Sequence, residues 1–225
     1  MKTFALRACL VVLACAGPAM AEPNTLTAAE KAAGWKLLFD GKTTTGWRGF
    51  KTATPDWKVV DGTLAPDPKT SGDLMTTEQF GSFELSFEWK ISPKGNSGVM
   101  YHVTEAGERT YWSGPEYQVL DNGRGEPPLQ RAGALYDLYA PSVDATKPVG
   151  EFNESRLVVK GPHVEHWLNG KKVAEYELGS PEFKAKVAAS KFRDWPFATS
   201  PTGHLALQNH GDDVWYRNVK VRVLK

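Results

Sequence analysis

Thiol chemistry is missing from nearly all of this chain. Its two cysteines, Cys9 and Cys15, both fall within the first 21 residues. Residues 22–225 therefore hold no cysteine nucleophile, no zinc–thiolate site and no disulfide scaffold. An excess of one charge is missing too. Once Lys2 and Arg7 are set aside, the 27 basic residues become 25, against 26 acidic ones. That balance gives no electrostatic footprint for nucleic acid or an anionic membrane surface. No apolar run reaches the roughly 20 residues of a membrane-spanning helix. There is no internal repeat and no linker rich enough in glycine, serine or proline to mark a domain boundary.

The first 21 residues read as a leader. Lys2 and Arg7 form a basic start, Ala8–Ala16 an apolar stretch, and Gly17-Pro18 a break before Ala19-Met20-Ala21, a small-x-small cleavage site. The expectation is a secreted, periplasmic protein with its mature start near Glu22. Val12-Leu13-Ala14-Cys15 also resembles a lipobox, which would instead anchor the chain through a lipid on Cys15.

What the sequence has in quantity is short alternating segments. Phe83–Ile91 (FELSFEWKI) places Phe83, Leu85, Phe87, Trp89 and Ile91 on one face and Glu84, Ser86, Glu88 and Lys90 on the other. Strands are expected at Trp35–Phe39, Trp57–Val60 with Thr63-Leu64 across an Asp-Gly turn, Leu74–Thr77, Ser97–Val103 and Glu116–Leu120. Further strands are expected at Gly133–Tyr139, Ser155–Lys160, Val164–Leu168, Lys171–Tyr176, Gly203–Asn209 and Val214–Leu224. Helix is confined to Asn24–Ala33 and to a turn or two around Phe183–Ala189. About a dozen short strands with little helix specify an all-β fold, an antiparallel β-sandwich or jelly roll in a single domain over residues 22–225. Such a fold sets its first strand beside its last, here Trp35 beside Val219.

Polar groups in unusual places suggest where a site lies. If the Ser97–Val103 and Glu116–Leu120 strands pair, alternation puts His102 on one face and Glu116 and Gln118 on the facing strand's matching side. Gln208 and His210 share a face near the C-terminus. Eight tryptophans allow stacking on sugar rings, and Trp112, just before Ser113-Gly114, is the best placed for it. The ordinary readings are a solvated strand glutamate, a hydrogen-bonded histidine and a core tryptophan. The same fold, with its tryptophans and asparagines, would also serve a carbohydrate-binding module without catalysis, which would gain little from His102, Glu116 and His210 converging.

A set of motifs then resembles a known family. Gly34-Trp35-Lys36-Leu37-Leu38-Phe39-Asp40-Gly41-Lys42, Asn96-Ser97-Gly98-Val99, Glu116-Tyr117-Gln118-Val119-Leu120-Asp121, Gly133-Ala134-Leu135-Tyr136-Asp137, His166-Trp167-Leu168-Asn169-Gly170 and Leu207-Gln208-Asn209-His210-Gly211 occur in the order seen in 3-keto-disaccharide hydrolases. The chain departs at Tyr101-His102, where such proteins often carry arginine. The resemblance implies a concanavalin-like jelly roll and cleavage of glycosides whose sugar carries a ketone at C3. That ketone acidifies the C2 hydrogen, so a base can remove it, the C1 substituent can leave by elimination, and water can add back. Such chemistry needs a base, a group for the enolate oxygen and a proton for the leaving group. Placement on the strands makes Glu116, His102, His210 and Asp121 the catalytic candidates, and the resemblance strengthens Glu116 among them. Gln118, Asn96, Trp112, Gln208, Asn153 and Glu84 are the candidates for holding sugar, with Lys90 a further candidate for the enolate. His102, Glu116 and His210 would also suit a divalent metal ion as cofactor. The Glu-x-Asp-x-x-Glu strand of laminarinase-like enzymes has Gln118 in its middle position here, against their double-displacement mechanism. The expected partner is a small carbohydrate; aglycone, linkage, anomer and oligomeric state are left open.

Overall fold

A computed structural model describes residues 22–225; the expected leader and the expected lipobox at Cys15 lie outside the described residues. Among the described residues, thirteen strands form two antiparallel sheets. The larger has eight strands. It runs β11 (Lys171–Glu177), β10 (His163–Leu168), β9 (Asn153–Lys160), β6 (Phe83–Ile91), β13 (Val214–Val223), β4 (Thr63–Ala65) and β3 (Lys58–Val60), with β1 (Lys36–Leu37) also paired to β13. The smaller runs β2 (Trp47–Gly49), β5 (Leu74–Thr76), β12 (His204–Leu207), β7 (Asn96–Val103) and β8 (Glu116–Leu120). The all-β sandwich expected from the strand pattern is what the chain forms. Lys36 pairs with Val221, so the first strand does lie beside the last.

Among the described residues three α-helices punctuate the strands: α1 (Ala28–Ala32), α2 (Thr110–Ser113) and α3 (Pro181–Ala188). α1 starts with a capping box between Thr27 and Glu30, which satisfies two otherwise orphaned N–H groups. No helix among the described residues is long and apolar enough to cross a membrane.

The core lies between the sheets. β6 contributes Phe83, Leu85, Phe87, Trp89 and Ile91, all buried, as its alternation demands. The smaller sheet answers with Leu74, Val99, Tyr101, Tyr117, Val119 and Leu207. Glu84, Glu88 and Lys90 point the other way, onto the outside of the larger sheet. There Glu84 is tied to Arg156 at 2.9 Å and to Arg222, and Glu88 accepts from Arg217 at 2.7 Å. Lys90 lies 4.5 Å from the centre of the Trp215 ring. Glu84 and Lys90, expected at the site, are therefore parts of a charge ladder on the opposite sheet.

The Gly133–Tyr139 segment differs from expectation. It makes turns rather than a strand, yet it caps the open edge of β8 with backbone bonds. Gln118 N donates to Ala134 O, Gly133 N to Gln118 O, and Tyr136 N to Glu116 O. The left-handed conformation of Gly133 (φ 86°) and of Asp137 (φ 64°) breaks the extended run.

A buried polar chain fixes this cap to the sandwich. His166 is fully buried, with Nδ1 3.0 Å from Gly133 O and Nε2 2.8 Å from the Tyr176 hydroxyl, which in turn meets the Tyr101 hydroxyl at 2.8 Å. Burial pushes the His166 imidazole down to about 4. The unfolded chain protonates this ring near pH 6.5 and the folded one near 4, so stability is lost as pH falls through that window. His166→Leu leaves Gly133 O and the Tyr176 hydroxyl without their partner, at a cost of about 2–4 kcal/mol. The denaturation midpoint at pH 7 should drop accordingly, and the gap should narrow toward pH 4.5. A gap that stays constant with pH would refute the account.

Candidate active site on the outer face of the smaller sheet

The two strands singled out by sequence do pair: Met100 faces Glu116, Val99 faces Tyr117 and Gly98 faces Gln118. Glu116 and Gln118 thus turn to the face opposite the core. β12 adds Ala206 beside Met100, and β5 adds Met75 beside Ala206. Met75, Met100, Val103 and Ala206 form an apolar pad on this face, against which Phe50 and Tyr111 pack.

Val103 joins Met100 there because β7 is bulged. His204 pairs with Val103 and Ala206 with Met100, so Tyr101 and His102 together oppose the single residue Leu205. His102 takes φ 53° at the bulge. Gly203 makes room for it: a Cβ there would lie 2.4 Å from the His102 carbonyl carbon. The bulge re-aims the His102 ring away from the expected face. Its Nε2 sits 2.8 Å from Gly81 O, and its ring meets Phe83 edge-on at 6.0 Å. Burial lowers its pKa. His102 is therefore hydrogen-bonded into the fold near the end of β7, and the structure does not bring it to Glu116.

A cavity of about 340 Å³ opens over Glu116. Gln208, Asn96 and His210 share it with Glu116, and Tyr136, Tyr111, Phe192, Trp195 and Lys191 wall it. The Glu116 side chain lies across Gly98, where a Cβ would stand 2.1 Å from Oε1. Glycine at 98 is what lets the carboxyl lie flat on the sheet. Burial pushes Glu116 up to about 8; Lys191 opposes this, and Asp73 and Asp137 add to it. No hydrogen bond is among the influences that hold its charge. Two neighbouring carboxamides also have spare capacity. Gln118 donates to Asn96 Oδ1 at 3.1 Å, while the side-chain oxygens of Gln118 and Gln208 are buried without partners.

His210 is exposed at the rim, on the loop following β12. Asp73 holds that loop: it accepts from Asn209 N at 3.0 Å and from the Thr110 hydroxyl of α2. One half-buried carboxyl group thus joins the His210 loop to the helix that carries Tyr111. Burial raises the Asp73 pKa.

The other expected residues fall elsewhere. Asp121 accepts Lys94 N at 2.7 Å and Gly123 N at 2.9 Å, so it shapes a turn. Asn153 accepts Lys147 N and Asn169 Nδ2, both at 2.8 Å, in a loop junction of the larger sheet. Trp112 does not line the cavity. It stacks on Trp195 at 5.1 Å and 11°, supporting the ring that does. The metal set of His102, Glu116 and His210 is not assembled, since His102 faces Gly81. Among the described residues, the one group of such side chains close enough to share an ion is His163, Glu165 and Glu175, on β10 and β11.

Lys191, Phe192 and Trp195 were not legible from sequence. Lys191 and Phe192 sit on a tight helical turn, Lys191–Asp194, just after α3, and Trp195 closes it. Stacked rings run into this turn from the core: Phe183 on Phe197 at 6.4 Å, then Phe197 on Phe192 at 4.1 Å. The density of aromatic residues over 183–197 was the available signal.

The model of the 3-keto-alpha-glucoside-1,2-lyase-like domain matches residues 34–222. A protein of Bacteroides thetaiotaomicron named 3-keto-disaccharide hydrolase is 35% identical, over 91% of this chain and 83% of its own length. A crystal structure from Parabacteroides distasonis assigned as a glycosyl hydrolase superposes with TM-score 0.85 at 35% identity, covering 91% of this chain and all of that one. A second from the same organism, likewise assigned, gives TM-score 0.69 at 26% identity over 84% of this chain and 99% of its own.

Glu116 carries a stability signature. The unfolded chain ionises this carboxyl near pH 4.5 and the folded one near 8, so stability falls as pH rises between them, by on the order of 3–5 kcal/mol. Glu116→Gln has no charge to bury. Relative to wild type, the variant should gain several degrees in melting temperature between pH 5 and pH 8. A difference that does not vary with pH would show that Glu116 is not held neutral by burial.

Proposed function

The chain belongs to the 3-keto-alpha-glucoside-1,2-lyase-like family, and from that premise we propose that it cleaves glycosides whose sugar ring carries a ketone at C3. Glu116 is the base that takes the C2 proton. One observation carries this reading: a desolvated carboxyl without a fixed counter-ion, on the floor of a cavity of sugar size. Its raised pKa makes its ionised form a stronger base than an ordinary carboxylate, as removal of a proton from carbon requires. His210 at the rim donates to the ketone oxygen as the enolate forms. Tyr111 and Trp195 offer ring faces to the sugar, and the unpartnered oxygen of Gln208 accepts from one of its hydroxyls.

The elimination then runs without a glycosyl-enzyme intermediate. The C2–H electron pair becomes the enolate, the enolate collapses to restore the ketone, and the C1–O bond breaks. Water adding across the new C1–C2 double bond completes a net hydrolysis. A binding module without catalysis would gain nothing from a buried carboxyl that lowers stability, and this weighs against that alternative.

Incubation with a 3-keto-disaccharide should release free 3-keto-glucose, and turnover no faster than in buffer would sink the proposal. Glu116→Gln should reduce kcat/KM by about 10³-fold. Only the ionised carboxyl accepts the proton, so wild-type kcat/KM should climb with pH toward a limb near 8.

A further inference from the structure

The cleft does not end at Lys191. The same side chain also lines a second, more open recess of about 430 Å³ with Leu129, Leu138, Ala189 and Lys186. The two compartments differ in chemistry. The inner one has Glu116, Gln208 and His210. The outer one mixes aliphatic Leu129, Leu138 and Ala189 with polar Ser190, and Leu129 is 38% exposed. Asp137, next to Tyr136 of the inner wall, belongs to the outer recess. The Lys191 ammonium stands at the border, 4.2 Å from the centre of the Tyr136 ring and 3.9 Å from Asp137 Oδ2. Lys186, the other cation of the outer recess, lies over the Tyr139 ring and does not reach the inner one.

We propose that the inner compartment takes the keto sugar, the outer recess takes the aglycone against Leu129 and Ala189, and Lys191 marks the bond that breaks between them. This rests on Glu116 acting as the base. When the C1–O bond breaks, its electron pair goes to the aglycone oxygen. Lys191 donates a hydrogen bond to that oxygen and passes it a proton, and the lysine is reprotonated from solvent. The C2 proton stays on Glu116 until it returns to solvent or to the hydrated product, so protons and electron pairs balance without any further reactant.

Leaving-group ability separates this role from a structural one. The experiment compares the 4-nitrophenyl and methyl 3-keto-glucosides with the full chain and its Lys191→Met and Lys191→Arg variants. Nitrophenolate leaves with little help and methoxide does not. Lys191→Met should therefore lose about 10²-fold in kcat/KM on the methyl glycoside and less than about tenfold on the nitrophenyl one, with partial recovery in Lys191→Arg. Equal losses on both substrates overturn the role of Lys191. Leu129→Asp should raise the ratio of nitrophenyl to methyl KM by about tenfold, and an unchanged ratio overturns the placement of the aglycone. Exchange of the C2 hydrogen in deuterium oxide, followed on a 3-keto sugar without a leaving group, should persist in Lys191→Met and vanish in Glu116→Gln. If wild type shows no exchange, it is the base reading of Glu116 that fails.

Discussion

A carboxyl kept out of water without a fixed counter-charge is costly, and the smaller sheet is arranged so that Glu116 bears that cost. Gly98 on the facing strand leaves the space in which the side chain lies flat. The turns of residues 133–139 close the edge of β8, so the strand presenting Glu116 is paired on both sides. Asp73 and Asp137 add negative potential, and Lys191 partly offsets it. Without this enclosure the group would be an ordinary solvated glutamate with an ordinary acidity.

The enclosure is assembled from distant parts of the chain. The floor comes from β7, β8 and the segment after β12. The walls come from α2, from the turns of residues 133–139 and from the turn after α3. Two devices tie floor and walls to the sandwich. The buried chain of Tyr101, Tyr176 and His166 holds the loop that caps β8. The run of rings from Phe183 through Phe197 to Phe192 carries core packing outward to Lys191 and Trp195. Both place rigid, buried groups behind the side chains that face the cavity, as a preorganised site requires.

Much of this was legible in the sequence where periodicity governs. β6 and β8 have the expected bounds, and Glu116, Gln118, Asn96 and Gln208 fall together because strand alternation and pairing put them there. Legibility ended where a local irregularity overrides the period. The bulge at Tyr101-His102 inverts the alternation and takes His102 away from the face that parity assigns to it. Helical geometry in α2 points Tyr111 rather than Trp112 at the cavity. Lys191 was hidden for another reason: it stands on a four-residue turn too short to have a period. Glu84 looked like a site residue because its partners Arg156 and Arg222 lie 72 and 138 residues away.

The Trp112–Trp195 stack has an optical consequence. Two nearly parallel indoles 5.1 Å apart share electronic excitation, so their ultraviolet transitions split into a coupled pair. One indole rides on α2 beside the cavity and the other on the residue that closes the turn after α3. Circular dichroism in the indole absorption band is then a native gauge of the separation of the two walls. It responds to a change in that gap without any attached label.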